Sequence, residues 1–269
     1  MIVMFLSRVQ PQPAMKFNRF LFLASDAPQA QRALKRLARR YGNSKPDQAD
    51  VVVALGGDGL MLQALHECFK SGLPVYGMNC GSVGFLMHDL HEPDLPERLE
   101  SAHETLIRPL VMTAESHDGK HHERLAFNEV SLLRQRSQAA KLKIKIDGRT
   151  RLDEMSADGI IVATPVGSTA YNLSAHGPIL PIGAPLLALT PLSVFRPRRW
   201  RGAILSNDAE VRIEVLESGK RPVAAVADHD EVRDVISVDV AVDAKRGVRM
   251  LFENGHSLAD RVLNEQFQS

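Results

Sequence analysis

The segment VVVALGGDGLMLQAL, residues 51–65, restricts this chain more than any other. Five apolar residues, three of them valine, run into Gly56, Gly57, Asp58 and Gly59, and a helical pattern starts at once. A short continuous apolar run suits a strand buried on both faces of a parallel sheet. Glycines at a strand-to-helix turn let the backbone approach a phosphate, and the free N–H groups of a helix start favour anions. Ligands of open α/β sheets bind at the carboxyl ends of the strands. A carboxylate in that turn opposes phosphate binding unless it holds Mg²⁺ or accepts a proton from an attacking hydroxyl. The competing reading is a tight turn whose Asp caps the following helix. The segment alone leaves both open.

The neighbouring sequence repeats the alternation. RFLFLAS (19–25) predicts a strand. Ala30, Leu34, Leu37 and Tyr41 fall at helical spacing, and Gly42 ends that helix. Residues 60–69 predict a helix and PVYGMN (74–79) a third strand. Strand-helix-strand-helix-strand implies a doubly wound α/β layer. From Leu106 onward the pattern changes to short alternating apolar segments, among them LVMTAES, RLAFNEVSLLR, KLKIKIDG and GVRMLFE. Turn pairs such as Asp118-Gly119 and Asp147-Gly148 separate them. That spacing predicts a β-sandwich-like body interrupted by one helix near 167–175. The 269 residues suit two domains. The expectation is an α/β domain over 15–102 and a β-rich domain over 103–252. The helical pattern at 257–267 makes segment 253–269 a candidate to return to the first domain. Residues 1–14 read as a disordered or mis-called extension ahead of a start at Met15.

Composition removes several classes of function. A formal net charge of +1 supplies no field for nucleic acid or an anionic membrane. No apolar run approaches the roughly 20 residues of a membrane span. Cys68 and Cys80 are the only cysteines and are not spaced as CxxC, which fits a reducing cytosol better than a disulfide scaffold. The chain has neither GxxxxGK[ST] nor GxGxxG after a strand. HDGKHHE (117–123) reads as an exposed hairpin turn, and Asp228–Glu231 lacks a spaced His or Cys for structural zinc. Ser168 does not sit in a GxSxG elbow. No histidine has a partner that would place it in a proton relay.

Four segments, taken in order, say more. They are GGDG (56–59), YGMNCGSVGFLM (76–87), FNEVSLL (127–133) and SADGIIVATPVGSTAYNLSAHGPIL (156–180). Together they resemble the NAD kinase family over roughly Phe20 to Phe252. GGDG alone is shared with lipid kinases and phosphofructokinases, whereas TPxGSTAY together with Asn-Glu is specific. The resemblance implies transfer of the γ-phosphoryl of ATP to the 2′-hydroxyl of the adenosine ribose of NAD, giving NADP. It implies Mg²⁺ or another divalent ion arriving with ATP, and no metal ligands on the chain. Polyphosphate is an alternative donor.

By the same resemblance, Asp58 accepts the hydroxyl proton, and Gly56, Gly57 and Gly59 shape the phosphate turn. Gly57, Asp58 and Gly59 then also border the dinucleotide. Asn128 and Glu129 match a pair that hydrogen-bonds it, Phe85 lies against adenine, and Asp158 touches the nicotinamide end. Thr169, Ala170, Tyr171, Asn172 and Ser174 match a cluster that wraps the dinucleotide. Ser156 stands where the family often carries a basic residue, and His176 where a glycine is usual. ADHDEV (227–232) keeps an acid at Asp228 in place of Asp-Gly-Gln. FRPRRWRG (195–202) is a basic cluster that reads as a solvated loop, with the nucleotide or an acidic neighbouring subunit as competing partners. The resemblance further implies a cytoplasmic homodimer or homotetramer joined through the β-rich domain. Two alternatives stand beside it: a lipid kinase sharing GGDG, and a non-catalytic dinucleotide sensor that keeps the pocket.

Overall fold

The run at Val51–Gly56 is buried along its whole length, as a strand covered on both faces must be. The structure is a computed structural model and describes residues 17–81 and 84–253. In chain order its first elements are β1 (Phe20–Ala24), α1 (Pro28–Tyr41), β2 (Val51–Gly56), α2 (Asp58–Ser71) and β3 (Val75–Asn79). There follow β4 (His88–Asp89), α3 (Leu95–Ser101), β5 (His103–Ile107), β6 (Leu110–Ser116), β7 (His121–Ala126) and β8 (Glu129–Arg134). Next come β9 (Ala140–Ile146), β10 (Arg149–Ala157), β11 (Gly159–Ala163), a 3₁₀ turn at Gly167–Thr169 and α4 (Tyr171–Ser174). The remainder is β12 (Leu186–Leu192), β13 (Ala203–Ser206), β14 (Val211–Leu216), β15 (Val223–Ala227), β16 (Asp230–Val232), β17 (Val235–Val242) and β18 (Val248–Phe252).

The first sheet runs β1-β2-β3-β18-β5, with β4 beside β3. All its pairs are parallel except β18 with β5. Successive strand residues point to opposite faces. Val51, Val53 and Leu55 therefore pack with Ala30, Ala33 and Leu37 of α1 and Leu95 and Leu99 of α3. Val52 and Ala54 pack on the other side with Met61, Ala64 and Leu65 of α2. Gly72 closes α2 at φ 74°, a left-handed value that glycine adopts without a Cβ penalty.

Two antiparallel sheets form the rest, β10-β9-β14-β17-β6-β7 and β13-β12-β11-β8-β15-β16. Leu142, Ile213 and Val238 from one meet Leu132, Ile160 and Ala225 from the other in a single buried cluster. The alternating pattern along these strands supplies that inner face. Asp147 and Gly148, both at positive φ, make the two-residue turn between β9 and β10. The architecture is thus an N-terminal α/β domain followed by an antiparallel β-sandwich.

Two strands that the sequence reading places in the β-rich part, within 103–252, belong to the first sheet instead. These are β5 and β18. Val248, Met250 and Phe252 face α2 while Leu251 joins the cluster under α1, so β18 is buried on both sides. A short apolar pattern states that a strand is buried but not which sheet accepts it. RLAFNEVSLLR is a second correction: it is not one strand. It breaks at Phe127 and Asn128, between β7 in one sandwich sheet and β8 in the other. In the basic loop, the arginines are exposed, but Trp200 is half-buried against the sandwich core. The expectations for residues 1–14 and for a helix at 257–267 lie outside the described residues.

Candidate active site

Asp58 is the first residue of α2, directly after the extended Gly57. Its carboxylate accepts hydrogen bonds from the backbone N–H of Phe85 at 2.8 Å and of Leu86 at 3.0 Å. The GGDG turn is thereby tied to the second glycine-rich turn, which follows β3. A Cβ at Gly57 or Gly59 would meet no protein atom within 4 Å, so the fold itself does not demand glycine at either position. Gly56 differs: it is buried, and a Cβ there would fall 2.8 Å from Leu60 Cδ2. Its role is packing beneath the turn, not lining it. Phe85 is half-buried beside Asp58.

Asn128 and Glu129 lie at the corner where the chain changes sandwich sheets. The backbone N–H groups of Phe127, Asn128 and Glu129 all donate to the Asp228 carboxylate, at 2.8, 2.9 and 3.3 Å. That side chain is fully buried. It replaces the ladder partners that a strand loses at such a corner. The TPVGST turn presses on the same corner. Thr164 N donates to Asn128 O at 2.9 Å, and Thr164 Oγ1 donates to Phe127 O at 2.6 Å. A Cβ at Gly167 would sit 2.1 Å from Asn128 O. The backbone amide of Tyr171, at the start of α4, acts on the Glu129 carboxyl and favours its ionised form. Glu129 Oε2 is buried and has no hydrogen-bond partner.

Burial pushes the Glu129 carboxyl up to about 7, and the nearby Asp228 charge adds to the rise, against the pull of the Tyr171 amide. A carboxyl raised in this way keeps its proton in the folded state after the unfolded chain has released it. Its contribution to stability is complete below the ordinary value of 4.5 and is lost as pH rises through about 7. Glu129→Gln, which cannot ionise, should therefore gain thermal stability relative to wild type across that window and hold a constant difference above it. Unfolding midpoints of both proteins measured from below 4.5 to above 7 check this, and a pH-independent difference contradicts it.

The remaining expected site residues divide. Thr169 and Ala170 are half-buried, and Tyr171 and Ser174 are exposed. Asn172 is a correction: it is fully buried and committed to the protein. Its Nδ2 donates to Ser168 O at 3.2 Å and Pro178 O at 2.9 Å, and its Oδ1 accepts from Thr190 at 2.7 Å. It holds the loop in place instead of facing a ligand. Asp158 is ion-paired with Arg134 at 2.5 Å, and its side chain is 41% exposed. Ser156 is half-buried and bridged through its backbone to Arg196. His176 has φ 59°, which explains why a glycine suits that position.

The sequence reading misses one partner. His66 Nε2 lies 2.7 Å from Asp228 Oδ2, so a histidine does have an acid beside it. The two are 162 residues apart, and no local pattern links them. Among the described residues, no group of three or more His, Cys, Asp or Glu side chains could hold a metal ion.

Comparison with known proteins bears on this arrangement. The model of the ATP-NAD kinase N-terminal domain matches residues 4–107, and that of the ATP-NAD kinase C-terminal domain matches residues 127–248. An NAD kinase of Hyphomonas neptunium is 56% identical over 249 residues, spanning 93% of this chain and 98% of its own. One of Caulobacter vibrioides is 55% identical over 260 residues, spanning 97% and 99%. Among solved structures, yeast NADH kinase complexed with NADH superposes with a TM-score of 0.80 at 22% identity, covering 95% of this chain and 89% of that one. An NAD kinase from Archaeoglobus fulgidus in complex with ATP gives 0.69 at 21% identity, covering 92% and 98%. At such identities these two structures speak for the shared fold.

Proposed function

This chain belongs to the NAD kinase family, and from that premise we propose how its own residues carry out phosphoryl transfer to NAD. The protein is an enzyme with NAD kinase activity. The relatives favour neither the lipid kinase nor the non-catalytic sensor.

In the reading we propose, the dinucleotide lies between the GGDG turn and the Asn128–Glu129 corner. The observation that carries it is Glu129: a buried carboxylate oxygen without a donor, beside the Tyr171 amide. Such a group costs free energy until a ligand hydroxyl or N–H reaches it. The neighbouring Tyr171 and Ala170 offer apolar and polar surface to a nucleoside. Asp58 accepts the proton of the ribose 2′-hydroxyl as that oxygen bonds to the γ-phosphorus of ATP and the bond from the γ-phosphorus to the β–γ bridging oxygen breaks, giving NADP and ADP. Its two oxygens accept the amide N–H groups of Phe85 and Leu86, which sets its orientation. Gly57 and Gly59 leave space at the start of α2 for phosphate oxygens.

The divalent ion travels with the triphosphate. Among the described residues, the one carboxylate beside backbone amides at the GGDG turn does not complete the six-oxygen shell that Mg²⁺ demands. When bound to ATP, the ion neutralises charge on the phosphates.

The direct test is NADP formation from purified protein, ATP, Mg²⁺ and NAD, read by an NADP-specific dehydrogenase. Turnover supports the assignment, and a folded protein that binds NAD without turnover contradicts it. We also place the enzyme in the cytoplasm, which suits its two buried free cysteines. We assign it a homodimeric or homotetrameric state through the sandwich. A monomeric mass by light scattering at micromolar concentration would remove that assignment.

A further inference from the structure

The Asp58 helix and the Asn128–Glu129 corner belong to different domains, and the reaction requires them in register. Apolar contact between them is present: Phe127 and Val166 join the cluster of Met61 and Leu65 of α2. Apolar contact is non-directional and allows sliding. A directional hydrogen bond crosses the same boundary, beside the edge-on rings of Phe69 and Phe127. His66 of α2 meets Asp228, the buried carboxylate that also collects the N–H groups of Phe127, Asn128 and Glu129. Asp228 N returns a bond to Glu129 O at 3.1 Å. A carboxylate can only accept here, so the proton is on His66 Nε2. The imidazole is held edge-on between Phe127, at 5.1 Å between ring centroids, and His229, at 5.4 Å. Its side chain is 22% exposed and that of Asp228 0%.

Asp58 and His66 are eight residues apart on one helix, about two turns and roughly 12 Å along its axis. A helix of that length moves as a rod. Pinning it at His66 therefore sets the position of Asp58 at its end. We propose that His66 is a positioning residue: its hydrogen bond to Asp228 holds the Asp58 helix in register with the Asn128–Glu129 corner that seats the dinucleotide. This rests on the functional reading above and adds the element that aligns its two halves.

The proposal separates catalysis from binding. In His66→Leu, Asp228 still holds the three N–H groups of the corner, so the seat survives while α2 loses its pin. The expected result is a kcat about 10–100-fold lower, with KM for NAD within about threefold of wild type. His66→Gln places an N–H donor near the original Nε2 and should restore kcat to within about threefold. The measurement is steady-state NADP formation by wild type and both variants, with NAD affinity by calorimetry. A His66→Leu protein with kcat within about twofold of wild type overturns the proposal. So does a loss that appears in KM alone, or a Gln variant as impaired as Leu. Absence of turnover in the wild type is a different result, the failure of the kinase reading itself. Should the Leu variant not fold, His66→Asn serves instead. Its shorter amide does not reach Asp228, the same fall in kcat is expected, and a wild-type rate overturns the proposal.

Discussion

Asp58→Asn is expected to lower kcat for NADP formation by about 10²–10⁴-fold, the range over which a positioned general base contributes. The substitution keeps the size and shape of the side chain but removes its ability to take the hydroxyl proton. It also turns one acceptor oxygen into an NH₂ group facing a backbone N–H, either of Phe85 or of Leu86. A lost acceptor of that kind costs about 1–3 kcal/mol, so a fall in stability accompanies the fall in rate. The two effects are separable. NAD affinity and the thermal midpoint report the structural part, and kcat at saturating NAD and ATP reports the chemical part. A residual rate above about one-tenth of wild type removes Asp58 as the proton acceptor and leaves it as the brace between the two glycine-rich turns. An Asp is a weak base for a ribose hydroxyl in the ground state, with an unperturbed pKa of about 3.9. Its help comes as the transition state develops, and most of the acceleration then rests on positioning and on charge neutralisation at the phosphates.

Gly167→Ala is expected to be a strongly damaging conservative change outside the reacting groups. The added Cβ would lie 2.1 Å from Asn128 O, 2.3 Å from its carbonyl carbon and 2.6 Å from its Cα. All three are backbone atoms, so no side chain can swing aside. Nor can the turn retreat freely. Gly167 N donates to Thr164 Oγ1 at 3.0 Å, and Thr164 is bonded through its N–H and its hydroxyl to the same corner. Either those bonds break or the Asn128–Glu129 corner moves. Overpacking of this sort costs about 1–3 kcal/mol, occasionally more. The expected outcome is a lower unfolding midpoint together with NAD binding weakened by about tenfold or more, since 1.4 kcal/mol is a factor of ten. Calorimetric titration with NAD and a thermal melt check both arms. Wild-type affinity in Gly167→Ala shows that the corner does not seat the dinucleotide.

The local rules written in the chain were enough to place the strand at Val51–Gly56, the helix that starts at Asp58, and the alternating strands of the sandwich. Each depends on neighbours within a few residues: a continuous apolar run, a glycine stop, a period of two, an Asp-Gly turn. The resemblance carried by GGDG, Asn-Glu and TPxGSTAY pointed to the right family for the same reason, since each motif is a short stretch with its own geometry.

Partners were another matter. Alternation says which side of a strand is apolar, and it cannot say that β5 and β18 cross over to the first sheet. A polar residue in a motif reads as a ligand contact, yet Asn172 spends its hydrogen bonds on Ser168, Pro178 and Thr190. The Asp228 carboxylate gathers three N–H groups from about a hundred positions away and a histidine from further still. The sequence by itself determined the elements, their order and the motifs at their ends, because those follow from steric and apolar preferences of adjacent residues. Only the tertiary structure decided which buried polar groups brace the Asn128–Glu129 corner and which, like Glu129 Oε2, are left without a partner, because a hydrogen bond in a desolvated interior is set by where distant backbone and side chains meet.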